Sequence, residues 1–79
     1  MLEPAMLKPY YVHAQWDSDA QVWVASSDEV PGLATEADTI EALVQKLKFL
    51  IPELLELNGL LDGTPIAFEL LTRRFELAA

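Results

Sequence analysis

His13 is the one side chain in this sequence whose ordinary pKa lies near neutrality, so general-base chemistry would turn to it first. It stands mid-strand with no nucleophile motif beside it, and the absence of cysteine excludes thiol chemistry and thiolate-bound zinc. Asp17, Asp19, Asp28 and Glu29 carry enough oxygen to hold a hard divalent cation, although two of them stand where a turn uses aspartate for its own backbone. Gly32, Gly59 and Gly63 are isolated turn residues and build no phosphate-cradling loop. Arg73 and Arg74, followed by Phe75, are candidate contacts for a phosphate or carboxylate. Two arginines closing a strand in an acidic chain serve equally to balance charge or guard an edge. From these residues we expect no enzyme, no metal site and no cofactor.

The chain that must position these groups has 79 residues, 52% hydrophobic and 23% charged, which is one small globular domain. A domain of this size buries only about 60–65% of its unfolded surface, and without disulfides an oligomer is the natural supplement to its core. Thirteen acidic residues against five basic ones give a net charge of −8, which repels phosphate backbones and suits a basic partner or simple solubility. Direct nucleic-acid binding is therefore not expected. No basic segment precedes an apolar run at the N-terminus, and no stretch approaches the roughly 20 apolar residues of a membrane span, so we expect a cytoplasmic protein without membrane association. Residues 1–8, whose Met6 stands between Pro4 and the following Pro9, read as an N-terminal arm, and residues 9–79 as a single domain.

Tyr10 to Asp17 alternates as a strand, with Tyr10, Val12, Ala14 and Trp16 on one side and Tyr11, His13, Gln15 and Asp17 on the other. Gln21 to Ser26 is rich in β-formers and makes a hairpin with it. Two registers are open. A two-residue loop sets Trp16, Ala14 and Val12 against Gln21, Trp23 and Ala25; one residue more sets them against Val22, Val24 and Ser26. Pro31-Gly32 predicts a turn and Leu33 to Ala37 a third strand. Asp38 with Glu41 has the form of a capping box, so a helix should begin near Thr39. Ile40, Leu43, Val44, Leu47, Leu50, Ile51, Leu54 and Leu55 keep helical spacing across Pro52, which predicts one helix to about Leu57, bent near Phe49 and stopped by Asn58-Gly59. Pro65 to about Phe75 reads as a last strand, with a bulge or two-faced burial at Leu70-Leu71. The expected fold is α+β, a two-layer β-β-β-α-β domain whose four-stranded mixed sheet carries one helix on one face. The other sheet face is left uncovered. With Trp16, Trp23, two tyrosines and several valines spread over both sides of the hairpin, that face should be apolar enough to make a homodimer or larger oligomer.

The combination of Trp16-Asp17, Val22-Trp23-Val24-Ala25, Val30-Pro31-Gly32-Leu33, Ala37-Asp38-Thr39-Ile40 and Ile51-Pro52-Glu53-Leu54-Leu55 resembles short bacterial domains grouped with the HicB-like antitoxins. The resemblance runs from about Val12 to Gly59, and the last strand agrees by pattern only. It implies a partial RNase-H-like fold in which strand four lies beside strand one and parallel to it. It also implies pairing with a HicA-like toxin, a small basic RNA-cleaving protein masked by the antitoxin. Family members commonly carry a C-terminal DNA-binding domain; here the sequence ends at Ala79 just after the last strand, so that activity is not expected. A two-metal nuclease needs several carboxylates converging from strand interiors, whereas Asp17 lies at the turn, and we expect none. On this reading the partner meets an acidic edge of Asp28, Glu29 and Glu36 with Trp23. The alternative is a stand-alone homo-oligomer that binds a small ligand or another protein at its interface.

Overall fold

The structure is a computed structural model that describes residues 8–79; of the N-terminal arm expected over residues 1–8, all but Lys8 lie outside the described residues. Strand β1 (Tyr10–Asp17), β2 (Val22–Ser26), β3 (Ala34–Ala37), helix α1 (Ile40–Leu57) and β4 (Phe68–Arg73) follow in the expected order. They form an α+β domain with one four-stranded mixed sheet, ordered β3-β2-β1-β4. β1 pairs antiparallel with β2 and parallel with β4, which α1 makes feasible by carrying the chain across the sheet.

Neither hairpin register expected from the sequence is found. Trp16 stands opposite Trp23, Ala14 opposite Ala25, and Asp17 opposite Val22, one residue beyond the longer alternative. The cause is local. Asp17 Oδ1 accepts from the amides of Asp19 and Ala20 at 3.0 and 3.2 Å, and Gln21 N donates to Asp17 O at 2.8 Å. These bonds close a loop over Ser18 to Gln21, with Gln21 in the left-handed region at φ 58. β2 therefore starts at Val22 instead of Gln21. Glycine would adopt that backbone without the Cβ crowding that Gln21 bears, so Gln21→Gly should raise stability by about 0.5–1 kcal/mol in urea unfolding. A loss instead would mean that the Gln21 Nε2 bond to Ser18 O, at 2.7 Å, outweighs the backbone gain.

The core follows from this register. Val12, Ala14, Ala25 and Ala37 present one buried sheet face to Leu43, Leu47, Ile51 and Leu55, a stripe repeating every four residues along α1. Three alanines on the sheet keep that surface low, and the α1 backbone lies close over β2 and β3. Val30 and Leu33 close the core from the loop, where Leu33 N bonds to Val30 O around Pro31 and Gly32, the latter at φ 80. The N-cap is Thr39 and not Asp38: its side chain accepts from Ala42 N at 3.0 Å. α1 is one helix through Pro52, as the continuous apolar spacing predicts. At its end Leu60 N bonds to Leu55 O and Gly59 N to Glu56 O, with Gly59 at φ 67, the two-bond closure of a left-handed cap.

β4 is shorter than predicted, and its pairing with β1 is unbroken from Phe68 to Arg73, so there is no bulge at Leu70-Leu71. Leu70 packs toward the core while Leu71, 45% exposed, points away from it.

Candidate functional site

The face of the sheet opposite α1 is uncovered among the described residues. Strand alternation and register place its side chains in rows: Glu36, Val24, Gln15 and Arg73 in one, then Ser26, His13 and Leu71 in the next, with Tyr11 beside Glu69. An open depression of about 860 Å³ crosses it, lined by His13, Gln15, Asp17, Ser26, Leu71 and Arg73 among others. The face is mixed, with Tyr11, Val24 and Leu71 as its exposed large apolar groups. Contrary to the expectation that the tryptophans contribute to it, Trp16 and Trp23 both lie on the helix side of the sheet. Their ring centroids are 5.3 Å apart at 60°, a tilted aromatic pair.

The two candidate anion contacts separate because neighbours in an extended chain point to opposite faces. Arg73 belongs to the uncovered face. Arg74 lies over Trp16 at 4.2 Å and within 6.0 Å of Trp23, and its Nε donates to Glu76 Oε2 at 2.6 Å. Its guanidinium is thus engaged by aromatic faces and a carboxylate.

The four candidate partner contacts do not form one surface. Trp23 is half-buried on the helix side, whereas Glu36, opposite Val24 in the neighbouring strand, faces the uncovered side and is exposed. Asp28 is exposed in the loop after β2. Glu29 is committed to the sheet: its Oε1 accepts from Tyr11 N at 2.6 Å, and Ser27 Oγ donates to Tyr11 O at 2.6 Å. Ser27 Oγ also accepts from the amides of Glu29 and Val30. These two side chains extend the β1 ladder past the last residue of β2, and Asp28 and Glu36 are the exposed carboxylates of this group that bond to no other group among the described residues. The backbone carbonyl of Glu36 accepts from Lys46 Nζ at 2.6 Å, tying the edge strand to α1.

The carboxylates weighed for a metal do not converge. Asp17 and Asp19 lie at the hairpin loop and Asp28 and Glu29 beyond its opposite end, and among the described residues no three His, Asp or Glu side chains gather as a cation site. His13 is exposed between Ser26 and Leu71. In the loop after α1 the Thr64 hydroxyl and amide hold the Asp62 carboxyl below the usual aspartate range. Among the described residues no helix is long and apolar enough to cross a membrane.

The sequence pattern of a family described as "Domain of unknown function (DUF1902)" matches residues 9–78. The chain is also similar to the crystal structure of a hypothetical protein from the extremely thermophilic bacterium Thermus thermophilus. The two share 48% identity over 89% of this chain and 99% of that one, with a TM-score of 0.79. No curated protein matches the chain.

Proposed function

The chain belongs to the family of domains of unknown function DUF1902, and from that premise we propose that it is a protein-interaction module that binds and masks a small basic protein. In its finer form the proposal is antitoxin-like: the partner is a HicA-like RNA-cleaving toxin. The observation that carries the reading is uncompensated negative charge. The chain holds 13 acidic and 5 basic residues, and Arg74–Glu76 is the one ion pair among the described residues. Such a field accelerates and orients encounter with a cationic surface. Asp28 and Glu36 are the carboxylates assigned to the contact, since Glu29 is occupied by the β1 backbone.

Calorimetric titration with a HicA-like toxin tests this. The affinity should fall as ionic strength rises, and Asp28→Lys with Glu36→Lys should weaken it about tenfold or more, the size of two rim charge pairs turned repulsive. Binding that ignores both salt and these substitutions would remove the electrostatic basis of the proposal.

A second reading is a self-associating domain that binds a ligand or another protein at its own interface. The exposure of Leu71 next to Arg73 on the uncovered face, and of Phe75 and Leu77 at 79% and 81%, favours it.

A further inference from the structure

The strand order leaves β4 at the border of the sheet, and no described segment pairs with its outer edge. Tyr10 N donates to Ala67 O at 2.9 Å, which in a parallel pair turns the backbone groups of the odd-numbered β4 residues toward β1. Those of Phe68, Leu70 and Thr72 therefore point outward as an open row of donors and acceptors. Neither a proline nor a bulge interrupts the strand. An edge of this kind is a template for another strand.

The residues of β4 specify which strand fits. Glu69 and Arg73 lie on the uncovered face, two positions to either side of Leu71. When β4 is laid antiparallel on a second β4 with Leu71 on the two-fold axis, Glu69 of each copy meets Arg73 of the other and Leu71 meets its own counterpart. Leu70 and Thr72 then exchange backbone bonds across the axis, using the groups that already point outward. The Glu69–Arg73 and Leu71 pairs fall at the non-hydrogen-bonded positions, where facing side chains come closest. Sliding the pairing by two residues in either direction sets Glu69 against Leu71 or Phe75 and leaves both charges without a partner.

We infer that the chain forms a two-fold dimer through the outer edge of β4, joining two sheets into one, with Leu71 on the axis and two Glu69–Arg73 pairs fixing the register. The inference rests on the self-association reading above and gives it an edge and a register. Self-complementarity of one patch is what a closed two-fold interface demands.

Charge reversal tests it by size exclusion with light scattering and native mass spectrometry, with circular dichroism confirming the fold of each variant. Glu69→Arg and Arg73→Glu should each weaken dimerisation about tenfold or more, since each places like charges at both pairs. Mixing the two variants should restore the dimer as a heterodimer, because every pair is then complementary, and the double variant E69R/R73E should dimerise alone. A wild-type dimer indifferent to both reversals would overturn the edge assignment while leaving self-association intact. A wild-type chain that stays monomeric at every concentration would overturn self-association itself and this dimer with it.

Discussion

Leu47→Ala should cost about 2–5 kcal/mol and leave little folded protein. Leu47 stands in the middle of the α1 stripe with no exposure, flanked by Leu43 and Ile51, which are equally buried. The surface it packs toward is built largely from Ala14, Ala25 and Ala37, whose side chains are too short to move into the space its removal would create. A site that cannot collapse keeps its cavity, which places the cost in the upper part of that range. Natural domains have about 5–15 kcal/mol in hand, and one of this size lies near the bottom. Urea unfolding should therefore show the midpoint falling to low denaturant with an unchanged slope. A cost below about 1 kcal/mol would mean that the helix and sheet repack, contrary to the arrangement described.

Pro52→Ala should have a large effect of the opposite sign. Pro52 lies inside α1 and has no N–H for the Lys48 carbonyl one turn earlier, and its ring crowds that turn. Proline in a helix interior is about 3 kcal/mol less favourable than alanine. Part of this returns through the stiffer unfolded chain, by up to about 1 kcal/mol. The net expectation is a gain of about 1–3 kcal/mol, visible as a rise of several degrees in Tm. Destabilisation would instead show that the local geometry imposed by Pro52 is what seats Ile51 and Leu55 on the sheet.

The two substitutions probe parts of the fold that differ in how openly the sequence announces them. The α1 stripe is legible because eight apolar residues hold helical phase on both sides of Pro52, and one packed face rewards that phase throughout. Pro31-Gly32 and Gly59 are legible because their backbone conformations admit few other residues. The hairpin register is not, since it depends on Gln21 adopting a left-handed conformation that its residue type does not advertise, and on Asp17 closing a four-residue loop. The cap is ambiguous for a simpler reason: Asp38 and Thr39 are both good caps and stand side by side. Once the register is known, the pairing of Trp16 with Trp23, and hence their removal from the uncovered face, follows from alternation.

The candidate surface divides in the same way. Its net charge is plain in the composition, and the separation of Arg73 from Arg74 follows from strand phase. The use of Glu29 and Ser27 as substitutes for a missing strand residue is a contact across 18 and 16 positions of sequence, and no local pattern marks it. The self-complementary spacing of Glu69, Leu71 and Arg73 is visible in the sequence only after β4 is known to lie at the border of the sheet.

The most direct test of masking is RNA cleavage by a HicA-like toxin with this chain added in stoichiometric amount. The proposal predicts that cleavage stops, and that it resumes when the added chain carries Asp28→Lys and Glu36→Lys. Cleavage that proceeds undiminished in the presence of the folded wild-type chain would contradict it.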